Sequence, residues 1–171
     1  MELKDCSKTK QELVDEYNNL SEEDRKILDT SYEVVSETKA QSDRLQEIIE
    51  FSKKMGYKKI GVALCKGLRN YGEQVDKELS KEFEVVSIPC NFAGIIKDEI
   101  NVTPIKTGEE IACDPIGQST ALNDAKVDMV VKCGFCMGHD LIFSKNIKPY
   151  STALFIKDRK NKHNTTKLFE N

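Results

Sequence analysis

The feature of this sequence that most restricts its fold is the alternation of short apolar runs with longer amphipathic stretches from Gly56 onward. The runs have the length and composition of buried parallel strands, whereas the stretches between them place apolar residues at helical spacing. Alternating strands and helices require crossover connections, which produce a mostly parallel sheet covered by helices. The predicted strands are residues 59–64, 83–88, 127–131 and 152–156.

The sequence therefore predicts an α/β fold with an open, mostly parallel, Rossmann-like sheet of about four strands and helices on both faces. Residues 1–55 are polar with a helical pattern, and we expect an N-terminal helical extension packed on the core. Within them, Ser21 stands where a helix N-cap is expected, and Gly56 is a predicted C-cap. Residues 56–171 are the predicted α/β metal-binding domain, and together the two segments form one compact unit.

Charge and hydropathy exclude several classes of protein. The 26 basic and 29 acidic side chains give a formal net charge of −3, so we expect no nucleic-acid-binding surface. The apolar runs are far shorter than the ~18 residues that a membrane span needs. The first residues lack the apolar segment of a signal peptide, so we expect a cytoplasmic protein that does not bind membranes.

Most of the cysteines lie at predicted element boundaries. Each of the first three predicted strands is followed by one or two cysteines, and a further cysteine directly precedes the helix that opens at Asp114. Because the carboxyl ends of parallel strands share one edge, we expect these thiols to meet there. They are Cys65, Cys90, Cys133, Cys136 and Cys113, whereas Cys6 lies in a polar segment and is a predicted exposed free thiol.

Several thiols at one edge predict metal or redox chemistry. Cysteines stay reduced in the cytosol, and helix N-termini favour the thiolate form that binds metals. Soft sulfur ligands suit zinc or an iron–sulfur cluster and exclude magnesium and calcium. We therefore predict a shared site for zinc or, alternatively, for a 4Fe-4S cluster. A redox-active thiol pair and inert core thiols are the alternatives.

Two polar residues follow the last of these cysteines at the start of a predicted helix. His139 is a candidate metal ligand, general acid or helix-cap partner, and Asp140 is a candidate for proton transfer beside it. The resulting hypotheses are a metal-binding protein of unknown reaction, an iron–sulfur enzyme acting on a small sulfur- or oxygen-containing substrate, and a non-catalytic metal or sulfur carrier or sensor.

Further polar residues are expected at the same edge. Arg69 opens a helix beside Cys65, where it either holds an anionic ligand or is an ordinary surface arginine. Arg159 is a second candidate for holding a small anionic substrate. His163 lies just beyond the last predicted strand, and it belongs either to the site or to a solvated basic tail. A nucleotide is a poor candidate ligand, because no glycine-rich phosphate-binding motif follows the first strand.

Four motifs together resemble those of a microbial family whose members are labelled metal-binding proteins, domain of unknown function 1847. The motifs are YKKIGVALC at 57–65, CDPIGQ at 113–118, CMGHD at 136–140, and KDR at 157–159 followed by HN at 163–164. The resemblance runs from about residue 21 to 165.

This resemblance implies that four of the cysteines match recurrent family positions, namely Cys65, Cys90, Cys113 and Cys136. It implies the same for a set of polar residues, His139, Asp140, Asp158, Arg159 and His163. Cys133 is an addition, since relatives more often carry an apolar residue there. Relatives also begin with an N-terminal cysteine cluster, of which this chain has only Cys6, so a second metal site is not expected.

Overall fold

A computed structural model describes residues 8–105 and 107–170 of the chain, and Cys6 therefore lies outside the described residues. This part contains six α-helices and four β-strands. The helices are Lys10–Asn18 (α1), Glu22–Glu37 (α2), Arg44–Met55 (α3), Arg69–Leu79 (α4), Pro115–Asp124 (α5) and Met137–Asn146 (α6). The strands are Lys59–Leu64 (β1), Glu84–Pro89 (β2), Met129–Phe135 (β3) and Tyr150–Ile156 (β4).

The strands form one parallel sheet in the order β2-β1-β3-β4. The predicted α/β class and parallel sheet are confirmed. The chain builds the sheet outward in one direction from β1 to β2 and then in the other direction through β3 and β4. The boundary between β1 and β3 is therefore the topological switch point, and in open parallel sheets ligands bind outside the carboxyl ends of the strands at such a point.

Helices cover both faces of the sheet, as predicted. Alternate residues of β1 point to opposite faces and contact different helices. Ile60 and Val62 pack in one core cluster with residues of α3 and α4, including Ile48 and Leu79. Ala63 belongs to a second cluster, which also contains Leu122 of α5 and Phe143 of α6. The helix α1, in contrast, has no buried residue.

The predicted helix caps follow from local hydrogen bonding. Ser21 caps α2, because its Oγ accepts a hydrogen bond from the backbone N–H of Asp24 at 3.0 Å. The helix α3 ends at Gly56, whose φ of 81° is the left-handed conformation that glycine adopts at low cost. Pro115 opens α5, where a proline loses no helical hydrogen bond.

The strand β3 is longer than predicted. A charged residue and a glycine indicate a strand end after residue 131, but the strand continues through Lys132 and Gly134 to Phe135. Lys132 is accommodated because its Nζ reaches Asp140 Oδ1 at 2.6 Å. Gly134 has a φ of 72° and lies in an irregularity of the pairing with β4. The prediction that Cys133 follows this strand is therefore wrong: Cys133 lies inside it.

Within residues 8–105 and 107–170, no helix combines the length and the apolar composition needed to cross a bilayer.

Candidate functional site

Four thiols from four separate loops line one small cavity at the carboxyl edge of the sheet. The cavity has a volume of about 20 Å³, which is room for one water molecule or one ion. Cys65 follows β1, Cys90 follows β2 and Cys136 follows β3, while Cys113 approaches from the segment that leads into α5. The complete lining is Cys65, Cys90, Cys113, Pro115, Gln118, Phe135, Cys136 and His139.

The sheet itself positions the first two thiols. The backbone N–H of Cys65 donates to the carbonyl of Cys133 at 3.0 Å, and that of Cys90 donates to the carbonyl of Leu64 at 2.8 Å. The interstrand hydrogen bonds thus continue one residue beyond the strands. Each thiol is therefore attached to backbone that the sheet holds in place.

The thiols of Cys90 and Cys113 are in direct contact. Cys90 Sγ donates to Cys113 Sγ at 3.6 Å and accepts from the backbone N–H of Lys66 at 3.3 Å. The hydrogen bond from Cys90 lowers the pKa of Cys113 to about 7. Donation to Cys113 raises the pKa of Cys90 above its ordinary value. At pH 7, Cys113 is therefore about half thiolate, and in that form the pair retains one proton, on Cys90.

Cys65 extends this chain of thiols. Its hydrogen bond to Cys90, together with burial, raises its pKa to about 12. Lys157 Nζ lies 3.1 Å from Cys65 Sγ. This contact lowers the pKa of Cys65, because a nearby cation favours the thiolate. Cys65 is therefore a thiol at neutral pH unless a stronger positive charge, such as a metal ion, approaches its sulfur.

Two cations from the segment after β4 contact the sulfurs. Lys157 contacts Cys65, as described above. The second cation is the exposed Arg159, whose Nη2 lies 3.5 Å from Cys136 Sγ. The sequence suggested Arg159 as a residue for anionic substrates, whereas here it contacts a thiol. Lys157 was not identified as a site residue by sequence reasoning, although it stands within one of the family motifs. The position of Lys157 directly after the last strand could have indicated that it lies at the carboxyl edge of the sheet.

A buried amide supports the floor of the cavity. Gln118 is 1% exposed, and its Nε2 donates to the carbonyls of Leu64 at 3.2 Å and Ile88 at 2.7 Å. Leu64 is the last residue of β1 and Ile88 the second-last of β2, so Gln118 ties together the two strands that lead to Cys65 and Cys90. Sequence reasoning missed this residue as well.

The two predicted proton-transfer residues are separated by the structure. His139 lines the cavity together with the four thiols. The Asp140 carboxylate instead accepts from Lys132 Nζ at 2.6 Å and from Ser144 Oγ at 3.2 Å, and Asp140 is not part of the lining. Its local role is to pair the lysine of β3.

Two other candidates also lie outside the cavity lining. The Arg69 side chain is 77% exposed and pairs with Glu73, with Nε 3.0 Å from Oε1. His163 accepts a hydrogen bond at Nδ1 from the backbone N–H of Asp158 at 3.1 Å. That contact closes the loop in which Asp158 also binds Asn161.

Cys133 is not brought to the other four thiols. It is 0% exposed and packs in the core cluster on the α3 and α4 face, beside Val131 and Met129. Burial raises its pKa to about 12, so it stays a neutral thiol. The environment is that of a small apolar residue.

The donor set has the chemistry of a soft-metal site, but its side chains are not all in ligating positions. Within the described residues, no three Cys, His, Asp or Glu side chains are gathered closely enough to hold a metal ion. Two of the four sulfurs do have a suitable spacing. Tetrahedral zinc with Zn–S bonds of about 2.3 Å separates its sulfurs by about 3.8 Å, and Cys90 and Cys113 are 3.6 Å apart.

Comparisons with known proteins agree with the motifs. Uncharacterized protein MJ0455 of Methanocaldococcus jannaschii is 43% identical over 164 residues, covering 95% of this chain and 84% of that protein. No match to this chain was found among the solved structures. A family model described as "Protein of unknown function (DUF1847)" matches residues 2–154. This match spans most of the chain, including β1 to β3 and the four cysteines of the cavity, and the chain therefore belongs to the DUF1847 family.

Proposed function

We propose that this protein binds a zinc ion through Cys65, Cys90, Cys113 and Cys136. The observation that carries the proposal is the presence of all four thiols around one ion-sized cavity at the switch point of the sheet. The four cysteines are distant in the chain, and their convergence on one small space is what a shared ligand requires. Zinc prefers such sulfur ligands and accepts four of them.

The charges around the thiols support this assignment. Four thiolates around a divalent cation carry an excess of two negative charges, and burial makes that excess costly. Lys157 and Arg159 stand 3.1 and 3.5 Å from two of the sulfurs and would offset it. Hydrogen bonds from outside the ligand set also orient the ligands, as the backbone N–H of Lys66 does for Cys90.

The role of the ion depends on how many thiols bind it. Full thiolate coordination is typical of a closed site, whereas three thiolates leave a position at which zinc supplies Lewis acidity. His139 stands at the wall of the same cavity, where its imidazole would exchange a proton with a bound molecule. We infer no specific reaction, and a metal carrier or sensor uses the same ligands.

A 4Fe-4S cluster is the alternative occupant of the same cysteines. The cavity volume of about 20 Å³ favours a single ion over a cluster. The two occupants also differ in colour, because iron–sulfur proteins absorb visible light whereas zinc has a filled d shell.

A redox-active pair is a second candidate function, favoured by the 3.6 Å contact between Cys90 and Cys113. With hydrogen peroxide as oxidant, the two thiols would form one S–S bond. They would lose two electrons and two protons, and the peroxide would be reduced to two water molecules. The low pKa of Cys113 favours its thiolate as the attacking species.

Anaerobic metal analysis of the purified protein tests the proposal. We expect one zinc per chain and no visible absorption. Cys113→Ala should lower the zinc content sharply and leave the far-ultraviolet circular dichroism unchanged, because the core does not depend on this residue. Cys133→Ala is the matched control, and it should retain the metal.

Each other outcome has a defined meaning. Brown protein with iron and sulfide identifies the cluster instead of zinc. Metal-free protein that rejects added zinc but forms a Cys90–Cys113 disulfide with peroxide supports the redox pair. Equal metal loss in the Cys113 and Cys133 variants contradicts the assignment of ligands.

A further inference from the structure

A second and larger cavity lies at the opposite edge of the sheet. It has a volume of about 340 Å³, is partly open to solvent, and is lined by residues of α2, α3 and the amino-terminal ends of β3 and β4. Met129 opens β3, and Tyr150, Ser151 and Thr152 open β4. A volume of this size is within the range of small-molecule sites, and no cysteine belongs to its lining.

The inner wall of this cavity is apolar. Val34 of α2, Ile48 of α3 and Met129 of β3 are nearly inaccessible, at 1%, 3% and 5% exposure. Ile27 and Phe51 complete the wall with an aliphatic and an aromatic side chain. The wall therefore suits the apolar body of a ligand rather than an ion.

The rim carries an excess of negative charge. Arg44 is paired with another rim residue, because Nη1 lies 2.6 Å from Glu47 Oε2, and its Nη2 donates to Thr152 Oγ1 at 2.5 Å. The Asp24 carboxylate accepts a hydrogen bond from Ser21 Oγ at 2.7 Å. Among residues 8–105 and 107–170, no cation forms an ion pair with it. Of the charged rim residues, Asp24 is thus the one without a compensating charge.

Two tyrosines line the same cavity as this carboxylate. Tyr57 and Tyr150 both line the cavity, and the fields of Glu23 and Asp24 reach the Tyr150 phenol. Desolvation, the charges of these two carboxylates and a side-chain hydrogen bond with Asp24 raise the pKa of Tyr150, so its hydroxyl stays protonated and donates to Asp24. Aromatic faces beside a carboxylate favour a cation over an anion.

We propose that this cavity binds a small organic amine, with the ammonium group at Asp24 beside Tyr150 and the apolar body against Val34, Ile48 and Phe51. The proposal rests on the shape, lining and charge of the amino edge, and it is independent of the thiol site at the carboxyl edge.

Three probes of similar size separate the contributions of charge and of apolar contact. They are 2-phenylethylamine, the neutral 2-phenylethanol and the anionic 3-phenylpropionate, and binding is followed by NMR titration of the ¹⁵N-labelled full chain. We expect the amine to bind about tenfold more tightly than the alcohol, and the anion more weakly than both. Asp24→Asn should remove the difference between amine and alcohol.

Steric variants test whether the cavity is the binding site. Ser31 is an exposed residue of α2 that lines the cavity, so Ser31→Trp should fill it and abolish binding of the amine. Ser36→Trp is the matched control, because Ser36 is exposed on the same helix but does not line the cavity. If Ser31→Trp fails to fold, the Asp24→Asn variant provides the test: the ratio of amine affinity to alcohol affinity should fall to about one.

Three results would overturn the proposal. They are the absence of binding for all three probes at millimolar concentration, equal affinity for the amine and the alcohol in the unmodified protein, and equal amine binding by the two tryptophan variants.

Discussion

The two edges of the sheet differ in what they contain and in what shapes them. At the carboxyl edge, four thiols line a cavity of about 20 Å³, and two cations contact the sulfurs. At the amino edge, apolar side chains and one acidic rim surround a cavity of about 340 Å³. Backbone directly continuous with the strands positions the thiols, whereas the packing of α2 and α3 creates the larger space. In this fold the reactive groups are thus positioned by strand ends, whereas the larger cavity is created by the arrangement of whole helices.

The largest expected effect concerns the reactivity of the thiols at the carboxyl edge. In metal-free protein at pH 7, Cys113 should be alkylated by iodoacetamide roughly 100-fold faster than Cys65. The pKa values of about 7 and about 12 make Cys113 about half thiolate and Cys65 almost entirely thiol. The rate at Cys113 should rise with pH and level off above its pKa. Peptide mass spectrometry of quenched samples measures both rates. Faster labelling of Cys65 would contradict the arrangement in which Cys90 donates its hydrogen bond to Cys113.

A cysteine ligand should affect metal binding without affecting the other edge. Cys136→Ala should weaken zinc binding by about 100-fold or more, because it removes one of the proposed ligands. Binding of 2-phenylethylamine at the amino edge should change less than twofold, because that cavity contains no group from β3 beyond Met129. Chelator competition and NMR titration measure the two affinities. If the folded Cys136→Ala variant loses both zinc binding and amine binding, the sites at the two edges of the sheet are not independent.

A smaller effect is expected for the cation that contacts Cys65. Lys157→Met keeps the length of the side chain but removes the charge 3.1 Å from the sulfur. Zinc affinity should fall about tenfold, the usual effect of losing a group that supports a ligand. Lys160→Met, at a nearby exposed position, is the control and should bind zinc normally. Chelator competition at fixed pH measures both variants, and equal affinities would exclude a role for Lys157.

The smallest expected effect is the loss of stability on replacing Cys133, which lies in the core between the two edges of the sheet. Cys133→Ala should reduce the free energy of unfolding by about 1 kcal/mol, because it removes a fully buried sulfur from a packed core. Zinc affinity should change less than twofold. Urea denaturation of the metal-free variant and wild type measures the difference, and an unchanged stability would contradict the core assignment.

Most of the fold could be predicted from local patterns. The bounds of β1 at Lys59–Leu64 coincide with the predicted strand, because its apolar run is continuous and ends at a turn. The caps at Ser21 and Gly56 also follow from their own residue types. The end of β3 could not be predicted, because the partner that accommodates Lys132 lies on the following helix.

The candidate site was partly accessible to the same reasoning. Strand ends indicated where Cys65, Cys90 and Cys136 would stand, since parallel strands end at one edge. The roles of Lys157 and Gln118 depend on contacts with β1 and β2 that no local pattern records. The cavity at the amino edge was not predicted, because it depends on the distance between a helical layer and the sheet.

The irregularity at Gly134 has a consequence for how cysteine spacing is interpreted. The register shifts around this residue place Cys133 in one core cluster and Phe135, two positions later, in the cluster on the other side. A side chain at Gly134 would come within 2.2 Å of Leu68 Cδ1 and would require a strained backbone. One glycine thus moves Phe135 to the face opposite Cys133. Phe135 lines the thiol cavity together with Cys136, whereas Cys133 stays in the other core cluster. A paired-cysteine signature can therefore contribute a single ligand.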